Sequence, residues 1–249
     1  MSISIHKVGL NKTLGQQSDE IITANLVGKW VGGTGVETLY WDNQVTSGKN
    51  LRRFNGISAS DIYFSFDGTD DYLGEASTDY GGDPFTLNTN NAFTIGMWLR
   101  SGTNGQKFYF ESWHALGRGF WFEITSASIS NNIKMDTNSG GLVSGCGQAQ
   151  LSTKSISTNT WHYITLTHNG LGNYYFYING SFQGVINLCA HGSTTATFRL
   201  GKKTESSTAY AGNDWRLSDL HVYTARLTDS QIRQNFLASN ITNGTRRYE

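Results

Sequence analysis

The sequence predicts an all-β, two-layer antiparallel sandwich closed by one short C-terminal helix. Three observations carry that prediction. The 249 residues include 29 Gly, a single Pro and only 15% charged side chains, a balance poor in helix-favouring charge. Apolar residues recur with period two in short runs, as on half-buried strands. Turn signals separate those runs, and only one stretch, near the C-terminus, carries a helix start signal.

Residues 1–60 differ in character from the remainder. Gly28, Gly32, Gly33 and Gly35 surround Trp30 and Val31, and residues 43–55 are polar and basic. This part is read as a loop-rich N-terminal arm or a set of first strands, docked on the sandwich or on a neighbour. The run Phe66-Asp67-Gly68-Thr69-Asp70-Asp71-Tyr72 then sets a tight acidic turn between aromatic strands. In residues 92–100, alternation puts Phe93, Ile95, Met97 and Leu99 on one face. Residues 107–113 and 119–125 repeat the pattern. Phe108, Phe110, Phe120, Phe122 and Ile124 point one way, with Tyr109, Glu111, Trp113, Trp121 and Glu123 on the opposite faces.

Residues 161–168, 174–178 and 181–186 are three further strands, and Asn179-Gly180 between the last two predicts a two-residue hairpin, because both residues tolerate positive φ. Strands at 197–201 and 215–223 follow. After them Thr228 can cap a helix, with Gln231 three residues on completing a capping box and Leu227 and Ile232 placed as a hydrophobic staple. Ile232, Asn235 and Phe236 share one helical face, which is expected to pack Ile232 and Phe236 on the sheet edge. The organisation is thus an arm or first strands at 1–60, a main domain at 61–240 and a short basic tail at 241–249.

Formal net charge is zero and the basic residues are scattered apart from pairs such as Arg52-Arg53, Lys202-Lys203 and Arg246-Arg247. Such a distribution gives no electrostatic footprint for nucleic acid. No apolar stretch approaches membrane-spanning length, and Met1 to Ile5 open no basic-then-apolar leader, so synthesis in a cytoplasm without a signal peptide and no membrane insertion are expected. Cys146 and Cys189 are too widely spaced for a zinc motif and too few for a disulfide scaffold. They are expected to be buried thiols, with a bridge between them left open.

No catalytic residue is assigned. Glycoside hydrolysis needs two carboxyl groups flanking one bond, and neither Glu111 nor Glu123 has a second carboxylate at strand spacing. The six His show no ligand spacing, and neither a phosphate-cradling loop nor a His-Glu-Xaa-Xaa-His motif occurs. A sugar site would combine a stacking ring with placed polar groups. Trp113, His114 and Arg118, with Trp121 on the following strand, form the first candidate; Tyr174, Tyr175 and Tyr177 form the second. Core and cross-strand packing is the competing use of the same aromatics. Asp67, Asp70 and Asp71 offer three carboxylates on a Gly-containing turn, a donor set for a hard cation. The same aspartates can simply bond the turn's own N–H groups.

Six ordered blocks carry a family resemblance: Phe66 to Tyr72, Phe93-Thr94-Ile95-Gly96-Met97-Trp98, Trp161-His162-Tyr163, Tyr177-Ile178-Asn179-Gly180, Leu200-Gly201, and Ser218 to Tyr223 followed by Leu227 to Ile232. Over residues 60–240 they resemble the laminin G-like, concanavalin A-like jelly roll, in a form similar to surface proteins of tailed-phage virions. The resemblance implies calcium at the sandwich rim, held by Asp70, Asp71 and Asp219, although Asp219 could instead pair with Arg216 or a hydroxyl. It also implies a non-enzymatic virion structural protein, made in the host cytoplasm. Such a protein would be displayed on a capsid or tail surface as a decoration, spike or fibre-associated part, in contact with capsid or tail proteins and with further copies of itself. The alternative is a calcium-assisted lectin module recognising cell-surface glycans of the host, and a third reading is a glycan-cleaving hydrolase. Fold alone does not choose among them.

Overall fold

A computed structural model of the chain describes residues 20–37, 39–45, 50–74, 87, 91–101, 107–114, 118–125, 133–139, 148–151, 156–188, 197–203, 209–212, 214–239, 241–242 and 245–246. Cys146 and Cys189 lie outside the described residues. The first strands in chain order are β1 (Leu26–Trp30), β2 (Tyr40–Trp41), β3 (Leu51–Phe54), β4 (Ser58–Ala59), β5 (Phe64–Phe66), β6 (Tyr72–Gly74) and β7 (Ala92–Arg100). Next come β8 (Lys107–His114), β9 (Arg118–Thr125), β10 (Ile133–Ser139), β11 (Gln148–Leu151), β12 (Trp161–Asn169), β13 (Asn173–Ile178) and β14 (Ser181–Asn187). The last are β15 (Thr197–Leu200), β16 (Lys202–Lys203), β17 (Ala209–Tyr210), β18 (Trp215–Tyr223), helix α1 (Asp229–Ala238), β19 (Ile241–Thr242) and β20 (Thr245–Arg246).

Two eight-stranded antiparallel sheets form the sandwich. The first has the order β14-β13-β12-β7-β18-β5-β4, with β1 also paired to β18. The second runs β11-β10-β9-β8-β15-β6-β3-β2. The period-two runs decide which side faces inward. Phe93, Ile95, Met97 and Leu99 of the first sheet meet Phe108, Phe110, Phe120, Phe122 and Ile124 of the second in one buried core. The chain before residue 60 feeds both layers, because β1 pairs with β18 while β2 and β3 extend the second sheet through β6. Through them Trp30, Trp41, Leu51 and Ile57 enter the same core.

The Asn179-Gly180 hairpin forms as the sequence requires, with φ of 51° and 72° at the two residues and Ile178 opposite Ser181. Asn179 does more than turn the chain. Its side-chain oxygen accepts from the Tyr163 N–H at 2.9 Å, and its own N–H donates to the Tyr163 carbonyl at 2.8 Å, which ties the turn to the neighbouring strand β12. Helix α1 has its capping box, with Thr228 accepting from the Gln231 N–H and the Gln231 side chain accepting from the Thr228 N–H. The helix lies across the outer face of the first sheet rather than on its edge. Ile232 packs with Tyr177, Tyr223 and Leu227, and Phe236 with Trp98 and Tyr163, all outward-facing aromatics or their neighbours that would otherwise be wet. Gly96 is needed beneath this layer, since the Tyr163 hydroxyl occupies the place a Cβ would take. Among the described residues no helix is long and apolar enough to cross a membrane.

Candidate functional site

On the outer face of the second sheet, strand register sets Glu111 opposite both Trp121 and Arg199, and Tyr109 opposite Glu123. The side chains that alternation sends outward here are nonetheless buried. Glu111 pairs with Arg199, and Glu123 with Lys107 at 3.0 Å, so each carboxylate faces its own cation. The two glutamates are diagonal neighbours on this face, offset by two residues across β8 and β9. Burial, helped by the Glu123 charge, pushes the Tyr109 phenol up to about 12. Trp121 is 1% exposed, and the Lys203 ammonium sits 3.7 Å from its ring centroid. A tryptophan so covered presents no open face for a sugar, which changes its expected role from ligand platform to packing. Of the rest of that candidate, the backbone pairs Trp113 with Gly119 and His114 with Arg118 at the end of the β8–β9 hairpin. The side chains of Trp113, His114 and Arg118 lie outside the described residues.

The acidic turn closes on itself. Asp67 Oδ1 accepts from the N–H groups of Thr69 at 2.8 Å and Asp70 at 3.4 Å, and Asp71 Oδ2 accepts from the Asp67 N–H at 3.0 Å. These are the bonds by which aspartate stabilises a turn. The three carboxylates still offer oxygen atoms within 4.8 Å of one another. Asp71 is only 4% exposed, and burial, with the Asp67 and Asp70 charges adding to it, raises its pKa to about 6 against the lowering effect of the Asp67 N–H bond. The donor set fits a hard divalent cation, which would relieve that repulsion. Asp219 does not belong to it. Fully buried on β18, its carboxylate accepts from the Gly32 N–H at 3.3 Å and bonds the Ser218 hydroxyl at 3.4 Å, which fits the hydroxyl alternative read from the sequence.

A cavity of about 670 Å³ opens at the start of α1, lined by Arg226, Leu227, Thr228, Asp229 and Ser230. The pleat of β13 divides the predicted tyrosine group at this point. Tyr174 turns into the core against His168 and Phe93, while Tyr175 and Tyr177 face outward beside the cavity. The Arg226 guanidinium lies 3.8 Å from the Tyr175 ring centroid, and the Tyr177 hydroxyl donates to Asp229 Oδ1 at 2.7 Å. Burial and this carboxylate push the Tyr177 phenol up to about 12, so it remains a donor at neutral pH. On the edge strand β14, Phe182 and Val185 are 52% and 48% exposed, with Phe182 packed 5.4 Å from Tyr177. Arg226 and Asp229 were not among the residues the sequence singled out for binding. Their only sequence signal is position, next to the helix cap.

Fold and site together define a concanavalin-like sandwich with a charged cavity on its outer surface. A model of the concanavalin A-like lectin/glucanases superfamily, in its laminin G-like form, matches residues 67–233, and the chain belongs to that family. No curated protein matches the chain by sequence. Among solved structures it is similar to Trypanosoma rangeli sialidase bound to a difluorinated nononic acid, with a TM-score of 0.64 and 16% identity over 88% of this chain and 33% of that one. The same sialidase in complex with sialic acid gives 0.60 and 14%, again covering 88% and 33%. The receptor binding domain of botulinum neurotoxin C/D mosaic serotype gives 0.63 and 12%, over 85% of this chain and 51% of that one. The chain therefore spans a third to a half of the length of these structures, and at such identities the likeness is one of fold.

Proposed function

We propose that this protein is a non-enzymatic, glycan-adhesive module displayed on a tailed-phage particle, as a decoration, spike or fibre-associated part of its capsid or tail. It would be made in the host cytoplasm and assembled as several copies. The observation that supports adhesion most directly is the cavity beside Tyr175. Its wall carries the Arg226 guanidinium and the Asp229 carboxylate, held in place by Tyr175 and Tyr177 behind them, so donors and an acceptor for sugar hydroxyls stand in one concavity. The absence of catalysis is supported by Glu111 and Glu123, each of which is held by its own cation. Two carboxyl groups working on one glycosidic bond must instead be free to protonate and to attack. The virion setting rests on the six sequence blocks quoted above, and calcium on Asp67, Asp70 and Asp71.

A glycan array of neutral oligosaccharides tests the reading. The wild-type chain is expected to bind a defined subset, Tyr175→Ala and Asp229→Asn to lose that binding at least tenfold (about 1.4 kcal/mol), and Trp121→Ala to lose no selectivity. Binding to no glycan would sink the adhesive reading, and absence of the protein from purified particles would sink the virion setting.

A further inference from the structure

We propose that the outer face of the second sheet carries a separate anion site, built on Lys202, Tyr72 and Tyr210 with Arg52 and Phe54, that takes the carboxylate or sulfate groups of an acidic glycan. Its frame is a column of rings and cations. Phe54 on β3 pairs with Tyr72 on β6, and their rings stack 4.2 Å apart with planes only 5° from parallel. The Arg52 guanidinium lies 5.1 Å from the Phe54 centroid. The Lys202 ammonium lies 4.3 Å from the Tyr72 centroid and 5.2 Å from that of Tyr210. The positive φ of 86° at Gly201 lets the chain leave the β15 line immediately before Lys202.

The contacts that hold Lys202 are unusual in kind. Both are to ring faces, and no carboxylate pairs with it among the described residues. Ring contacts order the stem of a lysine without neutralising its charge, so the entropy cost of fixing it for a ligand is already partly met and all three N–H donors stay available. The Tyr72 and Tyr210 hydroxyls have no hydrogen-bond partner among the described residues either. Burial raises the Tyr72 phenol above its ordinary range, so it remains a neutral donor. Gly74, opposite both Arg52 and Arg199, leaves room for the Arg199 stem to cross it, which brings a second guanidinium to the row. Among the described residues this face carries Arg52, Lys202 and Lys203 beside the ion pairs Arg199–Glu111 and Lys107–Glu123.

A row of ordered cations and free phenol donors matches anions spaced along a flexible polar chain. Nucleic acid is the less suited polyanion, because single strands bind such surfaces by stacking bases on open aromatic faces, and the faces here are taken by Phe54, Arg52 and Lys202. Choosing a glycan as the polyanion rests on the reading in the previous subsection; the cationic column does not.

Calorimetric titration of the full chain with oligogalacturonate, dextran sulfate, neutral dextran and a single-stranded DNA oligonucleotide tests the site. At least one of the two acidic glycans is expected to bind, more weakly as salt rises, and the comparison of the two assigns carboxylate or sulfate. Lys202→Gln and Arg52→Gln should each weaken that binding about tenfold, Lys202→Arg should restore most of it, and Tyr175→Ala, at the cavity, should leave it unchanged. Unaltered near-ultraviolet circular dichroism of Lys202→Gln separates loss of the site from loss of the fold. Failure of every polyanion to bind, equal binding of neutral dextran, or wild-type affinity in Lys202→Gln overturns the proposal; DNA binding as tightly as the glycans overturns the choice of ligand. Loss of neutral-glycan binding at the cavity with retained binding here would dismiss that reading and leave this site standing.

Discussion

Asp71 and His168 are buried groups whose proton affinities shift in opposite directions. His168 packs against Phe93 and Tyr174 with its ring tilted to both, and burial lowers its pKa to about 4 against the raising effect of its bond to the Asn91 carbonyl. Its contribution to stability is full above its ordinary value of 6.5 and is lost as pH falls towards 4. Asp71, raised to about 6 from 3.8, behaves in reverse: its contribution is full below pH 4 and is lost as pH rises through 6. Each shift corresponds to about 3 kcal/mol at most, so between pH 4 and 6 the two slopes largely cancel. In Asp71→Asn the His168 slope is left uncovered, and chemical denaturation should show stability rising from pH 4 to 6.5; a profile as flat as that of the wild type would contradict the assignment. At pH 7 calcium should raise the wild-type melting temperature by mass action, and a rise that persists in the Asp70→Ala, Asp71→Ala double variant would remove the proposed ligands. The sequence offered the Asp67–Asp71 turn as either a cation site or a self-bonded turn. Its hydrogen bonds show the second role in place, while leaving oxygen atoms for the first.

At the scale of elements, local signals were legible and placements were not. Thr228, Gln231, Leu227 and Ile232 predicted the helix and its start, because capping acts through neighbours in sequence. Where the helix lies depended on Trp98, Tyr163, Tyr177 and Tyr223, which alternation sends to the outside of the first sheet. An aromatic outer face on four adjacent strands needs a cover, and that pattern was readable in principle from the opposite phase of the runs that define the core. Two further bonds hold the helix there: Asn235 donates to the Tyr223 hydroxyl at 2.9 Å, and the Trp98 indole N–H donates to Ser239 Oγ at 3.0 Å. Thr228→Ala should cost about 1 kcal/mol and lower the melting temperature by about 2–4 °C, measured by circular dichroism. An effect much larger than this would mean that Thr228 supports the cavity wall as well as the cap.

For the molecule as a whole, the first strands are woven into the sandwich. β1 shares one side of β18 with β5, and β2 and β3 form an end of the second sheet. Trp30 and Trp41 are fully buried, and each indole N–H donates to a backbone carbonyl across the β1–β2 region, to Trp41 at 3.0 Å and to Val31 at 3.1 Å respectively. A chain begun at residue 61 would open that part of the core and leave β18 and β6 with unpaired edges. We expect it to bind a hydrophobic dye and to lack a cooperative melt; a cooperative transition near that of the full chain would show that residues 61–240 fold alone.

The alternation of Phe93 to Leu99 and Phe108 to Ile124, the Asn179-Gly180 turn and the Thr228 cap follow from bonding and steric rules that act over a few residues, so the linear order of side chains already determined the sandwich, its hairpin and its helix. The same order could not say that Trp121 would lie beneath Lys203, that Asp219 would bond Gly32 instead of joining Asp70, or that Arg226 and Asp229 would meet Tyr175 and Tyr177. Those contacts join residues many positions apart, and they exist because two particular sheets stack in one register and one helix crosses one of their faces. Burial and partnership, the properties that turn an aromatic or a carboxylate into a site, are settled at that level.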